Sequence, residues 1–335
     1  MLHQQIEQNK RRTVLIVFLF FLLFAALGAA IGYLNWDNAL SGLALALTIG
    51  VAYVAIMVAQ STQVVMSLNN AREITDKAQF PMLWNIVEEL TIVTRLPFPR
   101  IFIIEDESPN AFAAGKSPEQ ASVAVTTGLL KKLNREELTG VLAHEFAHIR
   151  NYDIRLSTVA LAIAGLIAFL AQFSTRMMFW GGGGRRRKSD NSGGAGIILL
   201  ILSLLILVLS PFVATIIRLA LSRNREYLAD ASAVEFTRNP EGLKSALIKI
   251  ATSEPMEAAN AASASLYSVN PFKRMREGEA ESDGLFSTHP STANRIKRLE
   301  ADPIEWMKHH FEKYCTAEFT DFHKRFIKRA VQNPE

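Results

Sequence analysis

Two uncharged apolar stretches near the start of the chain, Thr13 to Leu34 and Ala39 to Gln60, set the first limit on its fold. Each is long enough to cross a bilayer core of about 30 Å, and backbone placed in lipid must satisfy its own hydrogen bonds as helix. Leu156 to Phe173 and Gly196 to Ile217 repeat the pattern further on, so the sequence predicts four transmembrane helices in two hairpins. The first stretch has the charged flank of a signal peptide in Lys10-Arg11-Arg12, but its apolar run is too long and another follows after only Asn35-Trp36-Asp37-Asn38. Composition agrees: 49% of the 335 residues are hydrophobic and the mean hydropathy is +0.14, high for a soluble enzyme.

Basic residues orient these spans. Lys10, Arg11 and Arg12, then Arg72, Lys77, Arg95 and Arg100, place the N-terminus and the segment after the second span on the cytoplasmic side. The loop between spans three and four opposes this rule, since Arg176 and Arg185-Arg186-Arg187-Lys188 sit there among glycines. Either the second hairpin crosses despite its loop, held by Arg218, Arg223 and Arg225, or it is a shallow hairpin; crossing is the favoured reading. Trp180 to Gly194 reads as a disordered link whose cations meet lipid head groups or are simply solvated. The net charge is +4 with a pI near 9.1, and much of that basicity flanks the spans, which leaves no case for a nucleic-acid partner. The single cysteine, Cys315, excludes an internal disulfide framework and a cysteine-rich metal site, and fits a reducing compartment.

Between the hairpins, Ser67 to Leu96 reads as helix broken at Pro81, with Leu83, Ile86, Val87, Leu90 and Val93 at helical spacing. Three short strands follow, Arg100 to Glu105, Asn110 to Gly115 and Ala121 to Thr126, bounded by Pro109 and Lys116-Ser117-Pro118. Asn134-Arg135-Glu136-Glu137 then offers a helix N-cap with glutamate at N3, ahead of an apolar stripe of Leu138, Val141, Leu142 and Phe146. After the fourth span the chain reads as mostly helical, with a polar, alanine-rich and mobile segment around Ser253 to Ser268.

The chemistry sits on the capped helix as His144-Glu145-Phe146-Ala147-His148. Histidines four apart share one helix face and can reach a single metal, while the glutamate between them lies about 100° round and can act on a water at that metal. Alone the match is weak: it arises by chance in roughly one chain of this length in a hundred, and a surface helix with two solvated histidines explains it as well. A catalytic zinc usually takes a third protein ligand. The metzincin pattern is excluded, because its glycine and histidine positions hold Asn151 and Ile154. Glu226 and Asp230 lie four apart in Ser222-Arg223-Asn224-Arg225-Glu226-Tyr227-Leu228-Ala229-Asp230, so one could bind metal and the other accept a histidine N–H; most such pairs are merely solvated.

Taken with the segments around them, these residues resemble the HtpX-type integral-membrane zinc endopeptidases, in the superfamily that includes the CAAX-prenyl endopeptidases. The resemblance covers nearly the whole chain and rests on the order of its motifs. These are the N-terminal spans, Ser108-Pro109-Asn110-Ala111-Phe112-Ala113-Ala114-Gly115, Ala124-Val125-Thr126-Thr127-Gly128-Leu129-Leu130, the His144 helix, the Glu226 segment, and Ser287-Thr288-His289-Pro290-Ser291 with Arg295. It implies one zinc ion per chain held by His144, His148 and Glu226, with Glu145 as general base and Asp230 behind a ligand. It also implies that Asn110, Ala111, Phe112 and Ala113 form an edge strand for substrate, that His289 stabilises the oxyanion, and that Arg295 holds that loop or the substrate. Asn151 and Asp153 fit the pattern too, Asp153 as partner for an arginine. His3, His309, His310 and His323 have no motif around them and read as surface residues.

The expected fold is an α-helical membrane protein with a zincin-like α+β catalytic domain and a small sheet beside the zinc helix. Residues 1–62 would form the first hairpin, 63–154 and 222–335 the two parts of the catalytic domain, and 155–221 the second hairpin. The expected function is cleavage of misfolded or damaged membrane proteins from the cytoplasmic face of the plasma membrane. Polypeptides and the lipid bilayer are its partners, and self-association stays open. The rivals are a specific processing protease, such as a prenyl-protein endopeptidase, and a catalytically silent membrane scaffold.

Overall fold

The structure is a computed structural model that describes residues 36–161, 223–256, 266–269, 271 and 290–300, with scattered positions between 11 and 33. Helix α1, Ala39–Leu68, begins where the Asn38 side chain accepts the N–H groups of Leu40 and Ser41. Its part Ala39–Ile56 has a mean hydropathy of 2.1 and is 11% buried, and is the one helix among the described residues long and apolar enough to cross a membrane. A Cβ added to Gly42 would lie 2.1 Å from the Gly28 carbonyl oxygen, so the two arms of the N-terminal hairpin meet backbone to backbone. Of the third predicted span only 156–161 is described, as buried helix. The fourth span, the Trp180 to Gly194 loop, Ser287 to His289, Cys315, His3, His309, His310 and His323 lie outside the described residues.

The stretch from Ser67 to Leu96 departs from its helical reading. Arg72–Ile74 forms strand β1, and Asp76 caps a short 3-10 turn at Lys77–Gln79. Three residues are too few to show a period in sequence, and the strand exists because it pairs antiparallel with a partner, Glu73 opposite Phe102. Pro81 opens a helix here, occupying the first turn of α2, Pro81–Thr94, where no N–H is needed.

The predicted strands are present as β2, Arg100–Ile104, β3, Ala111–Gly115, and β4, Ala121–Thr126. They join β1 in a four-stranded mixed sheet of order β1-β2-β4-β3, in which β2 and β4 run parallel and β3 is an edge. The helices α3, Thr127–Lys132, and α4, Arg135–Arg150, follow, then α5, Arg223–Thr237, α6, Pro240–Ala251, and α7, Thr292–Glu300. The described chain is thus mostly helical around one small sheet.

Period-two alternation sends the strand side chains to two different cores. Ile101, Ile103, Val123 and Val125 pack with Leu83, Ile86, Val87 and Leu90 on α2, and with Leu138, Leu142 and Phe146 on α4 and Leu247 on α6. On the opposite face Phe102, Ile104, Phe112 and Ala124 meet Val65 and Met66 from the end of α1, together with Tyr267. The segment expected to be mobile is therefore anchored at both ends: Ser253, Ser268 and Tyr267 are buried, and the Tyr267 hydroxyl donates to Asn69 Oδ1 at 3.0 Å. Polar composition hid this, because the residues that bury the segment come from distant elements.

Candidate active site

Helix α4 is fixed at its start by a complete capping box, the Asn134 side chain accepting the Glu137 N–H and the Glu137 carboxylate accepting the Asn134 N–H. Glu137 also accepts from Lys249 Nζ at 2.8 Å and Ser245 Oγ at 2.6 Å, which ties α4 to α6. The two helices nearly touch at Gly140, where an added Cβ would lie 2.8 Å from the Leu243 nitrogen. The result is a motif driven into the interior: His144 is 1% exposed and Glu145 2%. A surface helix with solvated histidines is excluded by that burial.

Helix α5 supplies Glu226 and Asp230. Asp230 Oδ1 lies 2.9 Å from His144 Nδ1, and Asp153 Oδ2, just past the end of α4, lies 2.9 Å from His148 Nδ1. A carboxylate facing Nδ1 keeps the ring proton there, so each Nε2 presents a lone pair. Those Nε2 atoms are 3.2 Å apart, and Glu226 approaches them at 3.7 and 3.6 Å. Three acceptors therefore converge in a buried space, with all ligand atoms within 4.8 Å of one another. Two atoms each about 2.1 Å from one ion at a tetrahedral angle are roughly 3.4 Å apart, so the histidine spacing fits a zinc ion.

The electrostatics carry the same signature. Burial and the Arg295 charge push the His144 imidazole down, but hydrogen bonds to Asp230 and Glu226 and the Asp230 charge outweigh them, and its pKa rises to about 9. For His148, burial lowers, while the Glu226 charge and the Asp153 hydrogen bond raise, and the net shift is upward. Without a cation His144 takes a proton in its place. Asp230 is pushed up by burial, yet Arg295 and His144 bring it down to about 2, so it remains an acceptor across the physiological range.

Arg295, 2% exposed, explains that low value. It donates from Nε to Asp230 Oδ2 at 2.9 Å and from Nη2 to Asp230 Oδ1 at 2.6 Å, and from Nη1 to the Ser268 carbonyl at 2.8 Å. Of its two expected tasks, holding its own chain or holding substrate, the structure places it on its own chain. Asp153 does pair with an arginine, Arg225 Nη1 at 3.3 Å, but its bond to the ligand His148 has no counterpart in the sequence reading. Each ligand histidine is thus backed by a carboxylate that is backed by an arginine. Asn151, buried, forms the C-cap of α4.

The expected substrate segment lies at the edge of the sheet. Thr126 N–H donates to the Asn110 carbonyl at 3.0 Å, so Asn110 and Phe112 turn their backbone groups toward β4, and Ala111 and Ala113 turn theirs outward. The Ala111 carbonyl accepts the Ser268 N–H at 2.9 Å, and Asn110 Nδ2 donates to the Val269 carbonyl at 2.9 Å. Ala113 is 6% exposed, Phe112 fully buried. The Ser268 hydroxyl donates a short hydrogen bond to Glu145 Oε1, a contact between residues 123 apart that nothing in the sequence around Ser268 signals. His289 lies outside the described residues, although Pro290 and Ser291 beside it are buried.

A buried helix carrying two histidine ligands and an adjacent glutamate, with a carboxylate ligand from a second helix, defines a zinc metallopeptidase. The sequence profile of peptidase family M48 matches residues 77–302, and the chain belongs to that family, with His144, His148 and Glu226 as its zinc-binding triad. The chain is 52% identical over 300 residues to a protease HtpX homolog of Levilactobacillus brevis, and 54% identical over 300 residues to one of Ligilactobacillus salivarius. Each match covers 90% of this chain and 99% of the relative. The crystal structure of S. mikatae Ste24p matches over 85% of this chain and 62% of that one, at 19% identity and a TM-score of 0.44.

Proposed function

We propose that this peptidase is a four-span protein of the plasma membrane that cleaves misfolded or damaged membrane proteins at the cytoplasmic surface, in the service of protein quality control. The observation that carries the reading is the seat of the sheet on α1. From Ile56, where the membrane-crossing part of that helix ends, to Val65, which is buried against the sheet, the rise is about 14 Å. A catalytic unit held that close to the bilayer meets chains the membrane presents. In this layout residues 1–62 and 155–221 form the hairpins, and 63–154 and 222–335 combine as the catalytic domain, with one active centre per chain.

Zinc, when bound, acts as a Lewis acid that polarises the scissile carbonyl and makes water acidic enough to attack near neutral pH. Glu145 takes the proton from that water and returns it to the leaving amine nitrogen, so no covalent acyl-enzyme is required. Asp230 and Asp153 hold the two ligand rings in one tautomer and orientation, and Arg295 and Arg225 hold the carboxylates. The outward groups of Ala113 pair with an extended substrate, while Asn110, Ala111 and Phe112 hold that edge, Ala111 through its carbonyl on the Ser268 N–H. His289, three residues before α7, donates to the oxyanion.

The test is cleavage of a destabilised membrane protein and of its well-folded parent, both in detergent, by purified enzyme. Loss of cleavage with Glu145→Gln and on chelation, restored by added zinc, together with faster cleavage of the destabilised substrate, is the expected result. Cutting of both substrates at one identical site and rate would overturn the quality-control role in favour of a processing enzyme.

A further inference from the structure

We propose that Ser268 is a positioning residue for Glu145, holding one oxygen of the general base so that the other is aimed at the attacking water. The inference rests on the reading of Glu145 as base. A glutamate side chain has three rotatable torsions, and a base that must reach both a water and a leaving nitrogen loses rate when its carboxylate wanders. Something has to limit that motion.

The backbone of Ser268 is held on both sides. Its N–H donates to the Ala111 carbonyl on the sheet edge at 2.9 Å, and its carbonyl accepts Arg295 Nη1 at 2.8 Å. Its neighbours are anchors: Tyr267 is fully buried against Phe112, with ring centroids 5.0 Å apart, and Val269, 5% exposed, gives its carbonyl to Asn110 Nδ2. The side chain between these anchors points into the active site, where its hydroxyl meets Glu145. The Ser268 hydroxyl has one proton and two acceptors in reach, the Ala111 carbonyl at 3.1 Å and Glu145 Oε1, and the charged carboxylate is the stronger of the two. The hydroxyl is thus delivered to the base by a buried wall whose backbone also accepts a hydrogen bond from Arg295, the arginine behind Asp230.

That burial separates positioning from occlusion. A segment that lay in the substrate's place would have to leave before each turnover, and leaving would expose a buried tyrosine and a buried valine, a cost in apolar burial at every cycle. The wall stays in place, and substrate pairs beyond it at Ala113.

The experiment uses the full chain in detergent, with zinc content and thermal unfolding recorded for each variant. Ser268→Ala is expected to lower kcat about ten- to a hundredfold with KM unchanged, at full zinc occupancy and unaltered unfolding temperature, and Ser268→Thr, which keeps the hydroxyl, to recover most of kcat. In the inactive Glu145→Gln background, Ser268→Ala is expected to leave the Kd for an unfolded polypeptide such as casein unchanged. Wild-type kcat in Ser268→Ala, equal loss in the Ala and Thr variants with zinc and folding intact, or tighter casein binding would each overturn the proposal. A wild-type enzyme that cleaves nothing, or a Glu145→Gln variant that still cleaves, is the distinct failure of the underlying reading.

Discussion

The two ligand histidines are held by the same device, Asp230 with Arg295 on His144 and Asp153 with Arg225 on His148, and the device explains how a buried site can stay ready for a cation. Carboxylates that keep the Nδ1 protons leave both Nε2 lone pairs facing Glu226, and in the absence of metal the His144 lone pair takes a proton. The raised pKa of His144, about 9 against an ordinary 6.5, fixes the sign of the pH effect. In the metal-free chain that proton stabilises the fold fully below about pH 6.5, and the contribution is lost as pH rises through about 9. Zinc needs the same lone pair, so binding expels the proton, and apparent affinity is expected to fall up to about tenfold per pH unit as pH drops below about 9. Zinc competition titrations from about pH 6 to about pH 9 check it; an affinity flat across that window would show that the histidines are already neutral.

Among the elements, α4 matters most because it carries three active groups and is locked at two points. One lock is visible in sequence, the capping box from Asn134 to Glu137. The other is tertiary: Glu137 is also the partner of Lys249 and Ser245 on α6, and Gly140 is the place where the helices approach to backbone contact. Gly140→Val is therefore expected to force α4 and α6 apart, destabilising the chain by about 2–3 kcal/mol and lowering zinc retention through displacement of His144 one turn later. Thermal unfolding and zinc content in detergent measure both effects. A variant of unchanged stability would mean that the helix pair yields without strain. Strand β1 teaches the opposite lesson, since three residues with no period of their own become a strand only because β2 offers them an edge.

In the molecule as a whole, the membrane helix and the catalytic sheet are one packing unit, with Val65 and Met66 at the end of α1 buried against Phe102 and Phe112. Met66→Asp, a charge placed at a position 1% exposed, is expected to cost at least about 3 kcal/mol and to impair zinc binding although it lies far in sequence from every ligand. Zinc content and unfolding temperature of the purified variant read this out, and normal values for both would show that α1 is only an anchor. Sequence by itself determined the local parts: the start of α1 at Ala39, the strands β2, β3 and β4, the cap of α4, and the shared face of His144 and His148, because these depend on spacing and hydrophobic period within a few residues, whereas Glu226 as third ligand came only with the family resemblance. The tertiary structure decided which distant groups meet: Arg225 with Asp153, Arg295 with Asp230 instead of an open cleft, and Ser268 with Glu145. Those contacts join residues up to 123 positions apart, and no local pattern encodes them, since they arise only when burial of two faces of one small sheet brings the helices and the 266–269 wall together.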